Sequence, residues 1–112
     1  MDWKALLATA DGPPELATLR SAASAHFLKR GLPSTRDEHW RYTDTHFLAQ
    51  QKLKLLRPVI KVDAPTGVRV RSLEEAADVA APLLAAEADM THPFRLLNTA
   101  LLRDGLLVEV ED

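Results

Sequence analysis

The sequence predicts a mainly α fold, an irregular helical domain with one or two short β-strands. Apolar residues recur at helical spacing in several separate stretches of the 112-residue chain. Breaks that contain proline or glycine separate these stretches. β-Branched residues are concentrated in a few short runs, as in strands. The length allows one hydrophobic core of modest size, so we expect a single domain over residues 1–112.

Two helices are predicted in the first third of the chain. The first covers residues 2–10, and the second runs from near Pro14 to Arg30. Lys29 and Arg30 lie where the helix dipole favours cations, and Gly31 can adopt the left-handed conformation that ends many helices. The apolar faces of the two helices are expected to be Trp3, Leu6, Leu7 and Ala10, followed by Leu16, Leu19, Ala23 and Phe27.

The middle of the chain is predicted to be less regular. A capping-box pattern at 35–38 predicts a short helix over about 36–42, with Trp40 on its buried side. Residues 44–56 do not fit one helical stripe, which indicates irregular or broken helix. Residues 59–62 are mostly β-branched and are a candidate strand.

A strand and a helix are predicted next. A turn at 65–67 leads into alternating apolar and charged residues at 68–71, which is typical of a half-exposed strand. A second capping-box pattern at 72–75 opens a helix that Pro82 should end or kink. The apolar face of this helix is expected to be Leu73, Ala76, Ala77 and Ala80.

The last predicted helix begins near Pro93 and is followed by a strand. Phe94, Leu97 and Leu101 share one helical face. A turn at 104–105 then leads into residues 106–110, whose edge is expected to be exposed and able to pair with another chain. Self-association of the isolated chain is therefore one expectation.

Composition argues against several classes of protein. A net charge of −2 disfavours a nucleic-acid-binding module, which usually carries a basic face. The chain has no cysteine, which excludes a disulfide framework and a cluster held by thiolates of this chain, and fits a reducing cytoplasm. No run of residues has the length and apolarity of a membrane span, and the N-terminus has no signal-peptide pattern.

Charge is unevenly distributed along the chain. Residues 52–71 carry six basic residues and one acid, whereas residues 74–89 carry five acids and no base. One interpretation is that these are solvated faces that complement each other within the fold. The other is that the basic stretch docks on an acidic partner.

No pattern in the sequence predicts catalysis or a metal site. The four glycines are scattered, so no phosphate-binding loop is present, and no serine lies in a nucleophile elbow. His39 and His46 are seven residues apart, too far on one helix to share a metal unaided, and no His pair has the i, i+4 spacing of helical metal sites. We therefore expect no catalytic residue, no cofactor site and no metal ligand.

The segment from Gly31 to Asp44 is the most informative part of the sequence. It combines a helix end, a proline turn, a capping pattern and two aromatic residues, which predicts an ordered joint between helices. Glu38 is expected to cap, Arg41 and Asp44 to form ion pairs or backbone hydrogen bonds, and Trp40 to pack with Tyr42. The aromatic residues expected to anchor the fold are Trp3, Phe27, Trp40, Tyr42, Phe47 and Phe94.

This segment and a later one together resemble the N-terminal region of the SufB/SufD family, the scaffold proteins of SUF iron–sulfur cluster assembly. The chain departs from the family pattern at Ser34 and Thr35, which precede the charged residues 36–38, and at His39, which precedes Trp40. The similarity is greater to SufD than to SufB. The residues that carry it are Arg36, Asp37, Glu38, Trp40, Arg41, Tyr42, Thr43 and Asp44, and then Pro93, Phe94, Asn98, Asp104 and Gly105.

The resemblance implies a longer, non-catalytic protein. The chain would be a helical N-terminal domain truncated before a right-handed β-helix core, with residues 104–112 as the lead-in strand. Its partners would be a SUF ABC-type ATPase subunit and a SufB-like scaffold subunit in the cytoplasm. Iron–sulfur clusters would be handled by the full-length complex, with no cofactor in this part.

The resemblance implies structural or contact roles for the residues of both motifs. Asn98 is a poor helix former, so we expect its side chain to bond the backbone of the Trp40–Asp44 joint. Two other functions remain open from the residues alone, a free-standing helical adaptor for protein interactions and a small His-dependent metal carrier.

Overall fold

A computed structural model describes all 112 residues, of which 43% are helical. The rest of the regular structure is one small sheet of two strands. The α-helices are α1 (Trp3–Ala8), α2 (Ala17–Arg30), α3 (His46–Ala49), α4 (Ala77–Ala86) and α5 (Pro93–Ala100), and the strands are β1 (Val68–Ser72) and β2 (Leu106–Val110). Two single 3₁₀ turns, Pro14–Leu16 and Glu38–Trp40, complete the assignment.

Capping residues, a proline and a glycine mark the ends of the first two helices. Asp2 caps α1, since its carboxylate accepts a hydrogen bond from the Ala5 amide at 3.0 Å. Pro14 opens a 3₁₀ turn that leads into α2. Gly31 ends α2 with a φ of 76°, and its amide donates to the Phe27 carbonyl at 2.7 Å. Both predicted helices and the glycine stop are confirmed.

The main core lies between α2 and α5. Phe27 and Leu96 are fully buried there, and the Trp3 ring packs edge-on against Phe27 with ring centroids 5.3 Å apart. Ala23 and Ala100 are small enough to let the two helices approach closely. Truncation of a fully buried aromatic ring typically costs about 3–5 kcal/mol, so Phe27 is a principal anchor of the fold.

A second, smaller cluster joins α4 to the turn before α2. It is built from Leu16, Leu73 and Ala80, all buried. The Ser72 hydroxyl accepts a hydrogen bond from the Glu75 amide at 3.2 Å, so half of the predicted capping box forms. Residues 73–76 form turns. The helix α4 itself begins only at Ala77.

β1 and β2 pair antiparallel, with Val70 opposite Val108. The prediction of both strands is confirmed. On one face an ion pair runs diagonally from the Arg71 guanidinium to the Glu109 carboxylate at 2.6 Å. The other face carries Val108 and Val110, which are exposed.

The structure differs from two local predictions. Residues 59–62 form no strand, because no neighbouring segment pairs with them and β-propensity alone does not stabilise an isolated strand. Of the two effects expected of Pro82, the end of the helix does not occur: α4 continues to Ala86, since the carbonyl left without a donor belongs to exposed Asp78 and can bind water.

The most buried face of α5 lies beside the apolar face predicted for this helix. Leu96 and Ala100 face α2 and are buried, as is Pro93 at the first helical position. Phe94, Leu97 and Leu101 are half-buried, and Leu97 and Leu101 pack against the main core.

The chain buries little of its surface. Its accessible area is 8200 Å², and only 15 of 112 residues are buried. A compact monomer of 12.4 kDa would expose about 6,100 Å². The radius of gyration, 16.1 Å, likewise exceeds the value of about 13 Å for a compact domain of this length. None of the helices is long and apolar enough to cross a membrane.

Candidate functional site

The segment from residue 31 to 45 folds into a closed loop that we call the joint. A buried threonine closes it, because the Thr45 hydroxyl donates to the Pro33 carbonyl at 2.6 Å. Only 5% of Thr45 is exposed, so this bond is shielded from water. The joint therefore has a fixed shape although it contains only one 3₁₀ turn, Glu38–Trp40.

The capping box predicted inside the joint does not form. Asp37 takes that role, since its carboxylate accepts from the Ser34 amide at 2.8 Å and lies 3.6 Å from the Arg30 guanidinium. The side chain of Glu38 makes no hydrogen bond and points to solvent. An aspartate can bond the backbone of a tight turn more easily than a longer glutamate, and this local competition replaces the helix with a turn.

Trp40 connects the joint to α5. Its ring lies 5.3 Å from the Phe94 ring and 6.1 Å from the His92 ring, centroid to centroid. These distances are typical of favourable aromatic pairs. The Nδ1 atom of His92 is buried by this cluster and has no hydrogen-bond partner. The two sequence motifs, far apart in the chain, therefore meet at Trp40.

Tyr42 does not pack with Trp40, contrary to prediction. It is 87% exposed, and the Arg41 guanidinium lies over its ring at 4.7 Å. Phe47, another predicted anchor, is 58% exposed. Tyr42 follows the 3₁₀ turn and Phe47 lies in α3, so neither belongs to the turn that places Trp40 against α5. Asp44 bonds the backbone as predicted, accepting from the His46 amide at 2.8 Å.

A groove of about 390 Å³ begins beside Phe94 and runs between α5 and the extended segment after α3. Asn98 lines it, is exposed and makes no hydrogen bond. The predicted bond from Asn98 to the joint is therefore wrong, since its side chain faces the groove. The residues lining the groove are Asp11, Leu55, Leu56, Pro58, Phe94, Leu97, Asn98, Leu101, Leu102, Arg103 and Asp104.

Arg103 holds one end of this groove together. Its guanidinium donates to the Asp104 carboxylate at 3.0 Å, to Asp11 at 3.3 Å and to the Leu56 carbonyl at 3.1 Å. The hydrogen bond to Asp104, helped by Asp11, raises the pKa of Arg103 above its ordinary value, so the side chain stays charged. Gly105 follows, and its carbonyl accepts from the Leu73 amide at 2.8 Å.

The carboxylate of Asp89, in the turn before α5, is held in its ionised form. Asp89 accepts hydrogen bonds from both the hydroxyl and the amide of Thr91, and these bonds lower its pKa below the ordinary 3.8. Arg95 lies 3.5 Å away and adds a smaller effect in the same direction. This arrangement fixes the turn that leads into α5.

The structure brings together no three metal-ligating side chains of His, Cys, Asp or Glu. His39 is exposed, and the His46 ring faces Gln50 at 3.4 Å. The groove itself is lined by the half-buried Phe94 ring and by the charged side chains of Asp11, Arg103 and Asp104.

Sequence reasoning missed three residues of the site. Thr45 and Arg103 act through partners distant in the chain, so no local pattern marks them. His92 has no partner close to it in the sequence, and only the fold places its ring against Trp40. Comparison with protein-family models, characterised proteins and solved structures gives no match to this chain.

Proposed function

We propose that the chain is the non-catalytic N-terminal domain of a SufD-like scaffold subunit for iron–sulfur cluster assembly. The observation that supports this most is the contact between Trp40 and Phe94, at 5.3 Å. The resemblance rests on two segments separated by almost fifty residues, and a family-specific pair of motifs is expected to act as one unit. The packing of Trp40 against Phe94 joins the two motifs into one structural unit.

The proposal extends to the surroundings of the domain. The chain would be followed by a right-handed β-helix core, with residues 104–112 as its lead-in. Partners would be an ABC-type ATPase subunit and a SufB-like subunit in the cytoplasm, reached through the full-length protein. If ATP hydrolysis serves this process, another chain would perform it, since the scattered glycines of this one form no phosphate-binding loop.

Tyr42 is the motif residue best suited to contact a partner. Its exposed ring under Arg41 is a rigid apolar surface with a polar tip and a cation, the combination that dominates many protein interfaces. Trp40, by contrast, acts inside the joint. We assign contact to Tyr42 and internal positioning to Trp40.

The test is affinity purification of the natural protein from its source cells, with an antibody raised to this chain. The expected result is a band several times heavier than 12.4 kDa that carries the ATPase and SufB-like subunits with it. Tyr42→Ala should weaken recovery of these partners without changing the thermal unfolding of the chain. Phe47→Ala, which truncates another exposed aromatic ring outside the motif, serves as the matched control.

A free-standing helical adaptor for protein interactions is the second candidate. The large exposed area favours it, because a chain that buries so little gains stability by covering surface with a partner. A native band at 12.4 kDa without an ATPase would reject the scaffold proposal and leave the adaptor.

A further inference from the structure

The extended segment after α3 carries an unpartnered row of cations, which we call the basic strip: Lys52, Lys54, Arg57 and Lys61. All four side chains are exposed, and none forms an ion pair. Apolar residues lie between them, and several are exposed, with Leu56 at 74% and Val59 at 86%. Exposed apolar side chains next to free cations are typical of a surface that a partner covers.

The backbone of this segment is unpaired as well. Residues 52–64 make no backbone–backbone hydrogen bond at all. The segment is fixed to the body at Leu53, whose amide meets the Met1 sulfur, and at Leu56, whose carbonyl accepts from Arg103. It is therefore held in place while its outer side presents cations, apolar groups and free amides.

The same chain carries a surface of opposite charge on and around α4, which we call the acidic face: Glu74, Glu75, Asp78 and Glu87. These carboxylates are exposed and none forms an ion pair. Val79 and Leu83 lie among them and are 42% and 57% exposed. The acidic face thus matches the basic strip in both charge and apolar content.

These two surfaces do not pair within one molecule. Arg57 and Glu74 both line one open cavity, yet no ion pair forms between strip and face. Both stretches are mostly solvent-exposed, as the interpretation of solvated faces expects, and no ion pair joins one stretch to the other within the fold. The area is sufficient for a partner, because the chain exposes about 2,000 Å² more than a compact monomer and a stable interface needs about 800 Å² per side.

We infer that two copies of the chain pair, with the basic strip of each copy lying on the acidic face of the other. A second copy is the partner that this charge pattern fits, since a closed two-fold pair satisfies both surfaces of both copies at once. Interleaved apolar side chains would supply contact area, and the opposite charges would set orientation. The association should weaken as salt is added, because exposed charges are screened within about 10 Å at 0.1 M salt.

Sedimentation equilibrium of the full chain at low and high salt tests this directly. The expected result is a dimer at low salt. A strip-reversed variant, Lys54→Glu/Arg57→Glu/Lys61→Glu, should associate at least about tenfold more weakly, because like charges then face each other across both contacts. A face-reversed variant, Glu74→Lys/Glu75→Lys/Glu87→Lys, should do the same. Circular dichroism checks that each variant is folded.

Mixing the two variants is the decisive step. The reversed strip of one then meets the reversed face of the other, and the two unreversed surfaces also match, so the mixture should recover the association of the original chain. The control Lys4→Glu/Lys29→Glu/Arg69→Glu changes net charge equally at exposed sites away from the strip. It should dimerise normally with itself and should gain nothing when mixed with the face-reversed variant.

Several results would overturn the inference. One is a chain that stays monomeric at low salt, and another is a dimer that survives both reversals, as pairing through the free edge of β2 would. Recovery by the control mixture would reduce the effect to net charge. A monomer that binds phosphatidylserine vesicles or a polyglutamate peptide through the strip would assign the strip to a different acidic partner.

Discussion

The interface between α2 and α5 and the extended segment 52–64 are both rich in apolar residues, yet only the first is buried. Phe27 and Leu96 expose 0% of their surface, whereas Leu56 and Val59 expose 74% and 86%. The two regions differ in how their apolar residues are spaced along the sequence. Apolar residues of the helices fall on one stripe that a partner helix can cover, but those of the segment lie between cations along an extended chain. Apolar content alone therefore does not determine burial.

The largest expected effect on stability is at the interface between α2 and α5. Phe27→Ala should lower the free energy of unfolding by about 3–5 kcal/mol, since it leaves a cavity between α2 and α5. Leu56→Ala, in the exposed segment, should change it by less than about 0.5 kcal/mol. Urea unfolding of both variants at low protein concentration measures the contrast. Equal losses would mean that the segment contributes to the core.

The joint lies between these two regions and should show an intermediate effect. Thr45→Val keeps the volume of the side chain but leaves the buried Pro33 carbonyl without its donor, at an expected cost of about 1–3 kcal/mol. Thr43→Val removes an exposed hydroxyl and should change the free energy of unfolding by less than about 0.5 kcal/mol. Chemical denaturation of the pair is the measurement. A neutral Thr45→Val would show that the loop is closed by something else.

A smaller loss is expected where α2 leaves the core. Gly31 has a φ of 76°, and a side chain there costs about 1–2 kcal/mol from backbone strain although the surrounding space is open. At Gly105 the φ is ordinary, and an added Cβ would meet Leu73 at 3.6 Å, a normal contact. Thermal unfolding should therefore show a lower Tm for Gly31→Ala than for Gly105→Ala. The reverse order would contradict the assignment of strain to Gly31.

The smallest effect concerns pH. Hydrogen bonds from Thr91 lower the pKa of Asp89 in the folded chain, so its ionisation stabilises the fold above the ordinary pKa of 3.8. That contribution is lost as the pH falls through the lower, folded pKa. Asp89→Asn should therefore be less stable than the original chain at neutral pH, and the gap should narrow in acid.

Urea unfolding at a series of pH values measures this gap. Asp63→Asn is the matched control, because Asp63 is exposed and takes part in no ion pair or hydrogen bond. A gap for Asp89→Asn that stays constant from neutral to acid pH would show that the carboxylate does not stabilise the turn by its charge.

Features set by neighbours in the sequence could be predicted. The end of α2 follows from Gly31, and the strands follow from alternation at 68–71 and from the apolar run at 106–110 after the turn at 104–105. The interior of the joint could not be derived, because Thr45 and Pro33 meet across twelve residues and Asp37 competes with the capping pattern. Residues 59–62 have the composition of a strand, but a strand requires a partner, which composition does not specify.

Of the candidate site, the motif residues could be located but not oriented. Trp40 and Phe94 were expected to pack, and they do so against each other. Tyr42 and Asn98 were expected to face inward, and both face solvent. Orientation depends on the exact start of each turn, and a shift of one residue rotates a helical side chain by about 100°.

The extended segment has one more consequence, which concerns how the polypeptide is joined. Of the two helices that form the main core, α2 precedes the segment and α5 follows it. The exposed bonds after Lys52, Lys54 and Lys61 are accessible to trypsin-like proteases, and no backbone pairing shields them. A cut there would leave both halves of the core intact on separate chains, held by side-chain packing and by side-chain contacts such as the ion pair between Asp11 and Arg103. The molecule is in this sense a tethered pair of half-domains, suited to division into two complementing pieces.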